Sequence, residues 1–118
     1  MATRSTITVR TGENERKSIY CHWDGYPSGV GKELMDNYIT QESAEALIAL
    51  GSLSELGATP DECKSYHLWR GEDLRIAVLT NTERVDREQF NYYWDGEKWT
   101  VRCPNRELTI EEAIQIYN

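Results

Sequence analysis

Alternation of apolar and polar residues predicts two strands near the start of the chain. Ile7 and Val9 alternate with threonines, and Ile19 and Cys21 repeat this two-residue period after a polar stretch at 11–15. A period of two places every second side chain on the same face of a strand. The polar stretch predicts a turn, so the two segments together predict a β-hairpin.

Helical spacing follows in the middle of the chain. Val30, Leu34 and Tyr38 recur at every fourth position, which places them on one face of a predicted helix. Thr40 is suited to cap a second helix, and Gly51 is suited to end it.

The segment 59–71 predicts a short third helix. A capping threonine is followed by proline at the first helical position and by Glu62 at the third. On such a helix Cys63 and His67 stand one turn apart on the same face.

The second half of the chain predicts three strands and a final helix. The apolar run within 75–80 is typical of a central strand that is buried on both faces. Asp95–Gly96 between two alternating aromatic segments predicts a hairpin with a two-residue turn, which sets Tyr92 opposite Trp99. A capping box at 109–112 predicts the start of the last helix.

The resulting element order is β-β-α-α-α-β-β-β-α. It predicts an α+β fold, in which an antiparallel sheet of about five strands carries three to four helices mainly on one face. A chain of 118 residues is long enough for one core and too short for two. No Pro/Gly/Ser-rich linker divides it, so residues 1–118 are expected to form a single α+β domain.

Composition and charge narrow the classes of function. The net charge of −7 at pH 7 argues against nonspecific binding to nucleic acids or membranes, because both surfaces are anionic. No apolar run reaches the length of a signal peptide or a membrane span, which predicts a cytoplasmic protein. Three widely spaced cysteines indicate reduced thiols rather than a disulfide framework.

All of the net charge lies in the middle of the chain. The segment 24–73 contains ten acidic and three basic residues, whereas the rest contains ten of each. Solvated helix faces that collect Asp and Glu explain such a pattern, and so does an acidic face that meets a basic partner. The candidate residues of this acidic face are Glu42, Glu45, Glu55, Asp61 and Glu62.

Both histidines of the chain belong to candidate metal-binding clusters. His22 and Asp24 share a strand face if the second strand extends to them, and Cys63 and His67 share a helix face. Together these four side chains predict a zinc site, with Cys21 as an alternative ligand from the same strand, because zinc is bound by four imidazole, thiolate or carboxylate groups. Alternatively, Asp24 is only a turn residue, and Cys63 and His67 are core and rim residues.

A polar pocket is the second candidate site. In the segment 66–73, Arg70 is suited to recognise an anion or to pair with Asp73. The candidate ligand-binding residues are His22, Asp24, Tyr26, Arg70 and Asp73.

The glycine-rich segment 25–31 does not match a nucleotide-binding P-loop. Tyr26 and Glu33 stand where that motif needs glycine and a hydroxyl side chain. The glycines either present backbone N–H groups to an anion or form a tight turn between strand and helix. No nucleophile motif or carboxylate pair stands out, so enzymatic activity has no support from the sequence.

Three segments of the chain carry a resemblance to a family. They are His22–Pro27 with the glycines up to residue 31, Ala49–Gly57, and Tyr66–His67 with Arg70–Asp73. They resemble a small family found in phages, prophages and other mobile elements. The resemblance implies that the protein is located in the cytoplasm of a host cell. Proteins of this origin resemble counter-defence factors, such as inhibitors of CRISPR effectors or proteins that sequester immune signalling nucleotides.

The leading hypothesis from the sequence is a non-enzymatic protein that binds and inhibits a host defence component. Its acidic face would meet a basic surface of a host protein, such as a CRISPR effector, because complementary charge speeds association. The first alternative is a metal- or nucleotide-binding protein built on His22, Asp24, His67 and Arg70, which sequesters its ligand or acts as a hydrolase. The second alternative is a structural or assembly protein of a phage particle.

Overall fold

The computed structural model describes residues 3–66, 76–80, 87–103 and 106–117. The strands are β1 Ser5–Gly12, β2 Glu15–Cys21, β3 Leu53–Glu55, β4 Lys64–Ser65, β5 Ala77–Thr80, β6 Phe90–Trp94, β7 Trp99–Cys103 and β8 Arg106–Thr109. The helices are α1 Lys32–Asn37, α2 Gln41–Ile48 and α3 Ile110–Tyr117. A π-helical turn at Pro27–Gly31 leads into α1, and a 3-10 turn spans Pro60–Glu62.

The strands form one mixed sheet. In the described part of the chain it has eight strands in the order β4-β3-β2-β1-β6-β7-β8, with β5 paired to β2. β1 is antiparallel to β2, with Ile7 opposite Ile19, and parallel to β6, with Ile7 opposite Tyr92. The α+β prediction is confirmed, but the sheet is larger than expected and is not purely antiparallel. No tight turn links β1 to β6, so local sequence does not fix their relative direction.

The helices pack against the sheet face that carries the apolar residues of β1. Ile7 and Val9 are buried there, and so are Val30, Leu34 and Tyr38, as their spacing predicted. They do not share one α-helix, however, because Val30 lies in the π-helical turn and Tyr38 follows the end of α1. Two of the three predicted helix caps are also confirmed, whereas Thr59 makes no side-chain hydrogen bond that caps the turn after it. Thr40 and Ser43 cap each other at the start of α2, and Thr109 and Glu112 do the same before α3.

The opposite sheet face is polar and is buried as well. Thr6 donates to the side chain of Asn91 over 2.8 Å, and Thr8 donates to Ser18 over 2.9 Å. These four side chains are at most 6% exposed. Their hydrogen bonds to one another offset the cost of removing hydroxyl and amide groups from water.

The third predicted helix is wrong within the described residues. The 3-10 turn ends at Glu62, and Cys63 is extended, with φ −75° and ψ 147°. β4 then pairs with β3, with Ser65 opposite Leu53. The helix start signal is present, but no apolar stripe follows it, so strand pairing prevails over a short helix. Residues 67–71 of the predicted helix lie outside the described residues.

The predicted buried central strand is also wrong. β5 pairs with β2 alongside β3, with Ala77 opposite Ser18, and the side chain of Val78 is 59% exposed. A continuous apolar run is compatible with several positions in a sheet, and its partners decide which one it takes.

The hairpin of β6 and β7 exists, but its turn is longer than predicted. Trp94 lies opposite Trp99 and Tyr92 lies opposite Val101, which leaves the four residues 95–98 in the turn. The side chain of Asp95 accepts hydrogen bonds from the backbone N–H groups of Glu97 and Lys98, at 2.8 and 2.9 Å. These bonds stabilise the longer turn, so the predicted pairing of Tyr92 with Trp99 is shifted by two residues.

Among the described residues, none of the helices has the length and apolar character needed to cross a membrane.

Candidate functional site

The site is built on the loop that follows β2. β2 ends at Cys21, and beyond it the backbone N–H groups of His22 and Trp23 still donate to the backbone carbonyls of Leu53 and Ser54. Asp24 then adopts a left-handed backbone conformation with φ 59°, which aspartate tolerates better than most residues. The chain turns sharply there, so the prediction that His22 and Asp24 share a strand face is wrong.

Two glycines allow this loop to pack closely. A Cβ atom on Gly25 would lie 2.6 Å from the carbonyl oxygen of Thr3, and one on Gly29 would collide with the carbonyl oxygen of Asp24. The N–H groups of Gly25, Gly29 and Val30 donate to the carbonyls of Thr3, Tyr26 and Asp24 at 2.8 to 2.9 Å. Because these donors are engaged within the protein, the tight turn explains the glycines better than an anion site does.

An acidic groove lies between this loop and α1. We use this name for a hollow of about 200 Å³ whose lining includes Trp23, Asp24, Tyr26, Glu33, Asp36 and Leu56. Three carboxylates and the ammonium group of Lys32 line it, so its formal charge is −3 + 1 = −2. Lys32 donates to Asp36 over 2.8 Å, and this hydrogen bond raises the pKa of Lys32.

The ring of Tyr26 is positioned by its neighbours. Its hydroxyl group donates to Asp24 Oδ1 over 3.2 Å. The negative charge of Asp24 raises the pKa of Tyr26, so the phenol remains a protonated donor at neutral pH.

Exposed aromatic rings surround the acidic groove. Six large apolar side chains are exposed among the described residues, and three of these, Trp23, Tyr26 and Tyr117, line adjoining hollows. Their side chains are 42%, 37% and 37% exposed. Exposed aromatic residues that collect around concave surfaces are typical of binding sites.

A second hollow adjoins the acidic groove across Tyr26. We call it the tyrosine hollow; it measures about 490 Å³ and is lined by Thr3, Tyr26, Ser28, Gln89, Phe90 and Tyr117. The ring of Tyr117 packs edge-on against Phe90, with 5.4 Å between ring centroids. Phe90 is buried, so it supports the exposed ring from below.

A third hollow adjoins the acidic groove across Trp23. This aromatic hollow measures about 660 Å³, and its lining includes His22, Trp23, Glu55, Lys64 and Tyr66. The imidazole of His22 lies 4.8 Å from the Trp23 ring and 5.4 Å from the Tyr66 ring, between centroids. Its Nδ1 atom is hydrogen-bonded to the hydroxyl group of Tyr20 at 2.7 Å.

The predicted zinc site does not form among its described members. Cys63 Sγ lies 3.2 Å from the backbone nitrogen of Gly57 and 3.7 Å from the hydroxyl oxygen of Tyr38, so the thiol is held by a loop rather than by a helix. Within residues 3–66, 76–80, 87–103 and 106–117, no three His, Cys, Asp or Glu side chains come together to hold a metal ion. The fourth proposed ligand, His67, lies outside these residues.

The predicted acidic face is spread over several elements. All five of its residues are exposed. Glu45 on α2 lines a hollow with Arg10 and Asp95, at the turns of the two hairpins, whereas Glu55 forms an ion pair of 3.5 Å with Lys64 beside the aromatic hollow. Glu42 lies in the first turn of α2, and Asp61 and Glu62 lie in the 3-10 turn.

Sequence reasoning missed Glu33 and Asp36 as site residues. They stand three positions apart in α1, which places them on neighbouring positions of one helix face. That spacing was a visible signal, but their meeting with Trp23 depends on the turn at Asp24. Two other predicted ligand-binding residues, Arg70 and Asp73, lie outside the described residues.

No family model, no curated protein and no solved structure matches the chain. The resemblance to a family of mobile elements therefore stays a prediction.

Proposed function

We propose that this chain is a non-enzymatic binding protein that captures a cationic side chain of a protein partner in the acidic groove. The observation that carries the proposal is the exposed indole of Trp23 in the same hollow as the carboxylates of Asp24, Glu33 and Asp36.

The chemistry of the acidic groove suits arginine or lysine. Its carboxylates attract a cation, and the face of an indole adds a favourable cation–π contact. A net charge of −7 for the chain steers basic partners toward it and repels anionic ones. Tyrosine and tryptophan beside a concave surface provide the apolar contact area that anchors an interface.

The thiols in the core do not favour covalent catalysis. Burial raises the pKa of Cys21 to about 12, and burial also raises the pKa of Cys103. A nucleophilic cysteine needs a lowered pKa and access to substrate, and both of these side chains are fully buried.

Inhibition of a host defence component remains part of the proposal. Proteins that bind nucleic acids present basic surfaces, and an acidic partner competes for such a surface. The assignment of the partner to host defence, for example to a CRISPR effector, depends on the family resemblance alone.

A double variant that removes two carboxylates tests whether the acidic groove binds a cationic side chain. The probe is an acetylated hexapeptide with two arginines, compared with the same peptide carrying citrulline, which is uncharged and similar in shape. We expect NMR titration to show binding of the arginine peptide at Trp23 and Tyr26, and Glu33→Gln with Asp36→Asn to weaken it about tenfold.

The matched control is the double variant Glu42→Gln with Glu45→Gln. It removes the same charge from α2, outside the acidic groove. The proposal requires this control to change the affinity by less than about twofold. Equal weakening by both double variants, or equal binding of the citrulline peptide, would contradict it.

Small-ligand binding in the aromatic hollow is a second candidate function. Its volume of about 660 Å³ falls in the range of ligand pockets, and three aromatic rings line it. The ion pair of Lys64 with Glu55 reduces its net charge, which favours an uncharged planar ligand over a nucleotide. Titration with adenosine and with AMP, monitored by Trp23 fluorescence and NMR, tests this; a preference for AMP would count against a neutral ligand.

A further inference from the structure

The acidic groove and the tyrosine hollow share one wall. Tyr26 and Ser28 line both of them. A partner that fills both must therefore cross the ring of Tyr26. A single side chain inserted from a flat surface fills one hollow only, whereas an extended chain advances about 3.1 to 3.4 Å per residue and can span both.

The backbone at this surface does not favour strand addition. The N–H groups of Gly25, Gly29 and Val30 already donate within the loop, and Tyr117 is the last residue of α3 rather than part of a strand. Strand addition needs an unpaired strand edge that supplies main-chain hydrogen bonds. An extended ligand must therefore bind here through contacts with side chains.

The exposed rings suit proline. Tyr26 and Tyr117 are each 37% exposed, and both line the tyrosine hollow, where Phe90 packs against the ring of Tyr117. Proline-rich segments adopt an extended helix before they bind and dock on aromatic grooves, which reduces the entropy lost on binding.

We infer that the partner segment is an extended, proline-containing peptide, in which a basic residue enters the acidic groove and the prolines cross Tyr26 to pack against Tyr117. This inference rests on the proposed function and adds the chemical class and the path of the ligand. The acidic groove at one end and the uncharged tyrosine hollow at the other set the direction of the peptide.

Three synthetic peptides and one pair of variants test the inference. The first peptide is acetyl-Ala-Arg-Ala-Pro-Pro-Leu-Pro-amide, the second replaces every proline with alanine, and the third replaces arginine with citrulline. We expect calorimetry to show that the first binds about tenfold more tightly than the second. Tyr117→Ala should abolish this difference, whereas Ile116→Ala, at the neighbouring exposed position, should preserve it. Thermal unfolding of both variants verifies that the fold is intact.

The possible failures are distinguishable. Equal affinity for the first two peptides, or a proline preference that persists in Tyr117→Ala, overturns the inference and leaves the proposed function standing if arginine is still preferred to citrulline. Loss of the preference for arginine overturns the proposed function itself. Binding of cellohexaose or chitohexaose that depends on Tyr117 would also overturn the inference, because carbohydrates likewise stack on exposed rings.

Discussion

The hydroxyl group of Tyr92 donates a hydrogen bond to the backbone carbonyl of Gly25 over 2.7 Å. Tyr92 lies in the middle of β6, and Gly25 lies in the loop that forms the acidic groove. Burial raises the pKa of Tyr92, so the phenol stays protonated and remains a donor at physiological pH. The core of the sheet thus fixes the position of the loop beside the acidic groove.

Removal of that hydroxyl group should weaken both the fold and the site. We expect Tyr92→Phe to lower the free energy of unfolding by about 1–3 kcal/mol, because the carbonyl of Gly25 loses its partner in a buried place. Urea unfolding measures this. Affinity for the arginine hexapeptide should fall as well.

Tyr93→Phe provides a control for this variant. It removes a hydroxyl group that accepts from Arg16 Nε at 2.7 Å on the opposite face of the sheet. It should lower stability without a change in peptide affinity. If both variants left peptide binding unaltered, the link between β6 and the acidic groove would be refuted.

The left-handed backbone conformation of Asp24 should make two uncharged substitutions at this position differ in stability. Asparagine tolerates φ near +60°, whereas alanine is strained there by about 1 kcal/mol. We therefore expect Asp24→Ala to be about 1 kcal/mol less stable than Asp24→Asn in urea unfolding. Both variants lose the carboxylate, so equal stabilities would show that the backbone at residue 24 relaxes to another conformation.

The capping box of α3 should contribute to stability in a pH-dependent way. The backbone N–H of Thr109 donates to Glu112 over 3.0 Å and lowers the pKa of that carboxyl group below its ordinary value of 4.5. A lowered pKa means that the carboxylate stabilises the fold above pH 4.5 and that this contribution disappears as the pH falls through the lowered value.

Unfolding measured between pH 3 and pH 7 checks this contribution. Glu112→Gln should show a smaller loss of stability on acidification than the parent protein. Glu111→Gln makes the same change of charge at the neighbouring position in the first turn of α3 and should retain the steeper dependence. If the stability of Glu111→Gln depended less steeply on pH than that of Glu112→Gln, the capping box would not be the cause of the pH dependence.

Cys63 should act as a structural residue. Its sulfur accepts a hydrogen bond from the N–H of Gly57 at 3.2 Å and donates to the carbonyl of Thr59 at 3.4 Å. We expect Cys63→Ala to lower the unfolding free energy by about 1–2 kcal/mol and to leave the metal content of the purified protein unchanged. Thermal unfolding and elemental analysis measure the two effects. Stoichiometric zinc that disappears in this variant would restore the metal-site hypothesis.

Local signals in the sequence predicted the elements that depend on neighbouring residues. The alternation around Ile7, the buried positions from Val30 to Tyr38, the cap at Thr40 and the capping box at Thr109 involve residues at most eight positions apart, so their interactions are encoded within a short window. These elements are confirmed. The segment after Thr59 has the same kind of start signal but no apolar face, and the helix predicted there does not form among the described residues.

Long-range pairing was not predictable in this way. The parallel contact of Ile7 with Tyr92 joins segments that are far apart in the chain, and many registers satisfy their apolar pattern equally well. The acidic groove is likewise not predictable from the local sequence pattern. Glu33 and Asp36 meet Trp23 only because the chain reverses at Asp24, and a single backbone angle of this kind leaves little trace in composition or periodicity.

Trp23 forms a wall of both the acidic groove and the aromatic hollow. An occupant on either side restricts the orientations that the indole can adopt, and those orientations also shape the opposite side. Two ligands that bind there are therefore thermodynamically linked, and each changes the affinity of the other by the same factor. If one orientation suits both, a small molecule bound beside His22 strengthens the capture of a basic peptide on the far side of the ring.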